Sequence, residues 1–268
     1  MTITEQKAFL EGYKGLTPAG VGSAEALRAF LSDCRPEVSA ETVALGNPQG
    51  IYEALTVRGG GRTVKARSIR PAAAGKQPLV LLFHDLNRGV RGWHHMTRFL
   101  ALGYGVVALE AAPFREDWTK QPEAADFPGR YRDALLLAKA ALALPWVDAD
   151  HVVTCGEGFG GGLAILTAAL LPGALRCAAI NPLPGDFRGL GIDNMDDVDL
   201  TRFAPLCRGK TLMGTCLMDT YAPPKGQAAI YNHLKCEKKW KIYPKYIHER
   251  VNFFENEFVA FLLERITK

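Results

Sequence analysis

Three positions in this chain could together carry out acyl transfer, and the first of them holds a residue that cannot react. Gly156-Glu157-Gly158-Phe159-Gly160 stands between a short β-branched run, Val152 to Thr154, and an apolar, alanine-rich helical pattern, Leu163 to Leu171. That is the pattern of a strand, a very tight turn and a helix. With serine at its centre, G-x-S-x-G, such a turn presents a strained nucleophile above a sheet, and its small neighbours make room for it. Here the central residue is Gly158, so the turn is intact and the nucleophile is missing. Further on, Asp219 follows the apolar run Thr211 to Leu217 by two residues, and His248 lies five residues after Tyr243. A carboxylate and an imidazole in that order are what a nucleophile, acid and histidine triad needs. The acid fixes the imidazole tautomer and balances its charge, and the imidazole takes the proton of a nearby hydroxyl. Taken singly, Asp219 reads equally as a turn or cap residue and His248 as a surface histidine; the order of all three elements reads as the remnant of a triad.

No neighbour replaces the serine. Serine occurs only at positions 23, 32, 39 and 68, all ahead of the first run that reads as a parallel strand. Cys155 falls inside a strand, where a thiol is buried and unreactive. Glu157 is one residue off centre, so its side chain points elsewhere. Gly158 on its own reads as glycine filling a backbone position of positive φ. Two other readings stay open. A water activated by His248, with Glu157 and Asp85 in acid or base roles, would leave a working hydrolase. Alternatively, the protein is a ligand-binding or metal-binding non-enzyme, in which His84, Asp85, Glu157 and His248 converging at strand ends would offer a His/carboxylate set for a divalent cation. No spacing demands one, and the expectation is no metal and no cofactor.

The elements that must position these residues follow from periodicity. Leu79 to Phe83 and Gly105 to Leu109 are continuous apolar runs, as strands buried on both faces of a parallel sheet are. Val152 to Thr154, Cys177 to Ile180, Thr211 to Leu217 and Trp240 to Tyr243 extend the series. Helical patterns over Trp93 to Leu102, Tyr131 to Leu144, Gln227 to Leu234 and Glu249 to Ile266 alternate with them. Strands alternating with helices predict an α/β fold, a doubly wound, mostly parallel sheet flanked by helices. Ahead of it, Ile51 to Val57 and Val64 to Ile69, joined by Arg58-Gly-Gly-Gly-Arg62, predict a hairpin of antiparallel edge strands. Residues 1–40 read as a helical preface packed on a single domain, 41–268, with Ser23 as an N-cap. The 268 residues are enough for one large buried core. A net charge of +4 from 32 basic and 28 acidic residues, interspersed, argues against nucleic acid. Lys235, Lys238, Lys239 and Lys241 read as a solvated strand edge. Without a signal-like start, a membrane-spanning run or paired cysteines, the expected setting is the cytoplasm, with reduced thiols and no membrane partner.

Several pieces then line up with a known family. They are Leu10-Glu-Gly-Tyr-Lys-Gly15, Leu144-Pro-Trp-Val-Asp-Ala-Asp150, Gly160-Gly-Gly-Leu-Ala164, Met218-Asp219 with Pro223-Pro224, Tyr231-Asn232-His233 and Tyr243-Pro-Lys-Tyr-Ile-His-Glu249. In that order they resemble the acetyl xylan esterase / cephalosporin C deacetylase family, serine carbohydrate esterases of the α/β-hydrolase fold. The resemblance implies that Gly158 holds the nucleophile position, Asp219 the acid and His248 the base, with the backbone amides of Phe159 and Leu86 as the oxyanion hole. It implies a small acylated or carbohydrate ligand, and the family's ring-like hexamer leaves a homo-oligomer open. The departures gather at the site. The family's Phe-His-Gly-Tyr is Phe83-His84-Asp85-Leu86 here, which brings a carboxylate to a place that should stabilise an anion. His84 is expected to be structural. The family's Asp-x-Arg-Gly-Gln-Gly-Gly is replaced by Glu110-Ala-Ala-Pro-Phe-Arg-Glu116. Loss of the triad serine costs on the order of 10⁶ in turnover, so the expected function is that of an acetyl xylan esterase-like protein that is catalytically degenerate.

Overall fold

The continuous apolar runs become the middle of one sheet, because only there are both faces of a strand covered. The computed structural model describes residues 2–18, 20, 23–85, 90, 92–112, 118 and 120–264. In chain order the helices and strands are α1 (Ile3–Gly12), α2 (Ala24–Asp33), β1 (Glu37–Thr42), β2 (Gly50–Gly59), β3 (Arg62–Pro71), β4 (Gln77–Phe83), α3 (Trp93–Ala101), β5 (Gly105–Glu110), α4 (Phe127–Leu142), β6 (Val147–Glu157), α5 (Phe159–Leu170), β7 (Ala174–Ile180), α6 (Leu200–Phe203), β8 (Lys210–Cys216), α7 (Pro224–His233), β9 (Lys238–Tyr243) and α8 (Asn252–Leu263). Among the described residues these strands form a nine-stranded sheet in the order β1-β2-β3-β5-β4-β6-β7-β8-β9. The β1–β2, β2–β3 and β3–β5 pairings are antiparallel. From β5 through β4, β6, β7 and β8 to β9 every pairing is parallel. This is the α/β-hydrolase architecture, a mixed, mostly parallel sheet between helical layers.

Alternation along β4 divides the core in two. Leu79, Leu81 and Phe83 pack with residues of α4 and α5 such as Leu135 and Leu163. Val80 belongs to the opposite cluster, with Met96 and Phe99 of α3 and Phe254 and Phe258 of α8. The same parity sends Cys155 toward α3 and α8. Burial pushes the Cys177 and Cys216 thiols up to about 12, which leaves them inert.

Some local expectations are corrected. β2 and β3 form the hairpin but lie inside the sheet; the edge is β1, whose six residues are all exposed and carry no apolar face. Ser23 is at the N-cap position of α2, yet its hydroxyl donates to the Asp197 carbonyl at 2.8 Å and caps nothing. α4 starts earlier than Tyr131, because Asp126 accepts from the Gly129 N–H and a proline occupies the first turn. α8 begins at Asn252 because the chain first turns after His248. The preface is pinned by Asp186, which accepts from the Tyr13 hydroxyl at 2.5 Å and from the Leu16 and Thr17 N–H groups. Among the described residues, no helix is long and apolar enough to cross a membrane.

Candidate active site

β6 ends at Glu157 and α5 begins at Phe159, so the whole reversal is made at Gly158, with φ +56° and ψ −128°. Two flanking glycines are required by backbone approach. A Cβ at Gly156 would lie 2.0 Å from the Gly160 oxygen, and one at Gly160 would lie 2.3 Å from the Phe83 oxygen. The Gly158 N–H donates to the Ile180 carbonyl at 2.9 Å, tying the turn to the end of β7. At Gly158 itself the obstacle is a side chain. A Cβ there would stand 2.5 Å from both Cγ and Oδ1 of Asp85, and 3.0 Å from its Cβ.

The structure brings Asp219 and His248 together. Asp219, just past β8, accepts from the Tyr221 and Ala222 N–H groups on Oδ1, at 2.9 and 2.7 Å. Its Oδ2 is 2.7 Å from His248 Nδ1. The other imidazole nitrogen, Nε2, is 2.9 Å from Asp85 Oδ2. Asp85 Oδ1 accepts from the Phe159 N–H at 3.4 Å, longer than an ordinary N–H···O bond. One imidazole is therefore held between two carboxylates that are each 2% exposed. The Asp85 carboxylate fills the space that a side chain at 158 would need, and it engages both His248 and the first amide of α5.

Charge follows from this geometry. Burial pulls His248 toward the neutral form, but hydrogen bonds and charge from Asp219 and then Asp85 outweigh it, and its pKa is pushed up to about 9. At neutral pH the ring is an imidazolium that donates from both nitrogens, so it has no lone pair with which to take a proton. The Tyr221 ring packs on it with centroids 4.8 Å apart. His84 is buried and held below its ordinary pKa by desolvation. Its Nε2 accepts from the Ala111 N–H at 3.2 Å, and its Nδ1 lies 2.9 Å from the Asp85 carbonyl. With both nitrogens engaged by backbone, His84 joins the β4 and β5 ends.

Space is small. Asp85, Glu157, Gly158, Asn181, His248 and their neighbours enclose about 10 Å³, room for roughly one water. Glu157 also borders a second cavity, of about 50 Å³, between the sheet and helices α3 and α8, lined by Cys155, Phe99, Phe254 and Phe258. Among the described residues no three His, Cys, Asp or Glu groups are placed to hold a metal ion. Leu86, the second oxyanion amide implied by the resemblance, lies outside the described residues, as do Pro113 to Glu116. Glu110 is paired with Arg67.

Two residues at the site escaped sequence reasoning. Asn181, at φ +48°, accepts from the Cys216 N–H at 2.9 Å and so links the β7 and β8 ends; its position directly after an apolar strand was the available signal. Tyr221 had a weaker one, two residues beyond Asp219 in a proline-bounded turn.

A family model described as acetyl xylan esterase (AXE1) matches residues 119–197 and 192–265, together more than half of the chain. Among solved structures, acetyl xylan esterase 1 from Thermoanaerobacterium sp. JW/SL YS485 is similar with a TM-score of 0.82 and 22% identity, covering 98% of both chains. An acetyl xylan esterase from Paenibacillus sp. R4 gives 0.83 and 17% identity over 98% of this chain and 99% of that one. A cold-adapted esterase from an Arctic intertidal metagenomic library matches over 84% of this chain and 97% of its own, with a TM-score of 0.65 at 17% identity. At these identities the structural likenesses establish the fold.

Proposed function

Because this chain belongs to the acetyl xylan esterase (AXE1) family, we propose that it is a catalytically degenerate member, whose hydrolytic site has become a buried Asp85–His248–Asp219 arrangement. One observation carries this reading: the Asp85 carboxylate stands 2.5 Å from where a Cβ of residue 158 would be, with its Oδ2 on His248 Nε2. In the family's chemistry Asp219 orients His248, His248 takes the nucleophile's proton, and the amide after the nucleophile steadies the oxyanion. Here the position of the nucleophile is glycine, the nitrogen that should take the proton already donates to Asp85, and the Phe159 amide points at a carboxylate. The base and the oxyanion amide are both engaged by the same side chain, which also stands where a side chain at 158 would be.

The reading with a His248-activated water has the small cavity beside Glu157 in its favour, and the protonated state of His248 against it. An imidazolium is an acid, so the base would have to be Asp85 or Glu157, which border that cavity, and Asp85 is already bonded to His248. Family membership supports a small acylated or carbohydrate ligand as partner, bound without turnover.

The test is direct. The purified protein is expected to hydrolyse p-nitrophenyl acetate and acetylated xylo-oligosaccharides no faster than buffer, and to resist labelling by a fluorophosphonate. Sustained turnover abolished by His248→Ala would overturn the proposal.

A further inference from the structure

The Asp85 carboxylate is met by two donors across one small space. They are the Phe159 N–H and the Nε2–H of His248, 3.4 and 2.9 Å from the two oxygens of a single carboxylate. That pair is the equipment of a carboxylate site, one backbone amide and one cationic ring on the two oxygens of the same group. The side chain beyond the Asp85 Cα is –CH₂–COO⁻, which is acetate less one hydrogen. Building on the degenerate reading of the same site, we infer that this is a carboxylate-binding site whose resident occupant is the protein's own Asp85, held where the side chain of residue 158 would stand and excluding both a nucleophile and small carboxylates from solution.

Three features fit together on this view. Asp85 is 2% exposed and Asp219 likewise, so both charges need a buried counter-charge, and His248 between them serves both. The space left beside Asp85, about 10 Å³, takes a water and no carboxylate. Residues 85 and 158 also exclude one another. Rotating the Asp85 carboxylate away from a side chain at 158 would relieve the two contacts at 2.5 Å; the third, at 3.0 Å from the Asp85 Cβ, moves only with the backbone. Even alanine at 85 is tight against a side chain at 158, and glycine is the residue that clears it. Position 85 thus decides whether this turn can carry a nucleophile, although it lies 73 residues ahead of it in the chain (158 − 85).

Asp85→Gly deletes CH₂COO⁻, and acetate returns the same atoms. Thermal unfolding and calorimetric titration of D85G in sodium acetate, against sodium chloride at equal ionic strength, are expected to give a rise in melting temperature of several degrees specific to acetate. Binding should fall in the millimolar range, with no such response in the parent protein and none in D85G/H248A. Should D85G fail to fold, D85A with formate asks the same question, since alanine plus formate again makes up the aspartate side chain. Acetate and formate acting no better than chloride on these variants, or acting equally on the parent, would overturn the inference. A second arm uses a fluorophosphonate. D85G/G158S is expected to label at least tenfold faster than G158S alone; labelling no faster than that of G158S overturns the mutual exclusion. Neither arm depends on the parent's own activity, so turnover by the parent would sink the degenerate reading while the anion comparison still judged this one.

Discussion

On the β8–β9 side of the site, Asp219 and His248 keep the contacts of an acid and base pair, 2.7 Å from carboxylate to ring. On the β4–β6 side the turn has glycine at its centre, with the Asp85 side chain beside it. Gly156 and Gly160 are held by main-chain oxygens within 2.0 and 2.3 Å of where a Cβ would be, so packing of the sheet and α5 enforces the shape of the turn whatever stands at its centre. Gly158 meets no such backbone. There the neighbour is one carboxylate from the next strand, and that carboxylate has drawn His248 into an ion pair. The difference teaches that backbone and chemistry are separable at this site. The scaffold is maintained by close packing, which tolerates no substitution, and the reaction depends on single side chains, which can be exchanged.

The comparison can be broken first on the scaffold side, where the largest effect is expected. Gly160→Ala forces a methyl group against the Phe83 and His84 carbonyl oxygens, at 2.3 and 2.4 Å. It should cost more than about 4 kcal/mol, the range of severe core overpacking and backbone strain. Circular dichroism on freshly purified material would show little folded protein; a normal melting curve would refute the packing account. Next comes His248→Ala, which leaves Asp85 and Asp219 buried without their shared cation. Removing one member of a buried pair costs about 3–5 kcal/mol, to be read from urea unfolding. Adding Asp85→Asn to that variant should recover part of the loss, because one uncompensated charge disappears. No recovery would mean that Asp85 is not part of the same charge system.

A smaller effect is expected from pH. The folded pKa of His248, about 9, stands above its ordinary value of 6.5, so the unfolded chain gives up the proton first as pH rises. The stabilisation is complete below about pH 6.5 and is lost as pH climbs through 9, by about 3 kcal/mol in total. Urea midpoints at pH 6, 7.5 and 9 would follow this decline, and Asp85→Asn should make it shallower, with Asp219 still holding the pKa up. A flat profile in the parent protein would place the imidazole proton elsewhere. The smallest change is Tyr221→Leu, which removes ring packing on His248 worth about 0.5–1.5 kcal/mol. It should lower the melting temperature slightly and leave the pH profile unaltered; a large shift of that profile would make Tyr221 part of the ion system.

Much of this was legible in the chain. Leu79 to Phe83 and Gly105 to Leu109 declared buried strands by being apolar without interruption, and Gly156 to Gly160 declared the turn. Asp219 and His248 stood out by their order behind that turn, and the structure brings them within 2.7 Å of each other. β1 was not readable, since Glu37 to Thr42 has no buried face to leave a period in its residues; its strand state comes only from pairing with β2. Asp85 was noticed as a misplaced carboxylate, and its consequence was out of reach. Its partners, Phe159 and His248, are 74 and 163 residues away, and no local pattern encodes which carboxylate meets which ring.

Periodicity and residue type alone therefore determined the central parallel strands, the turn and the glycine at its centre, because burial and backbone fit leave a mark residue by residue. Only the tertiary structure decided which side chain stands beside Gly158. Pairing between charges is set by distance in space, and at Gly158 that distance put the Asp85 side chain beside the turn and against His248.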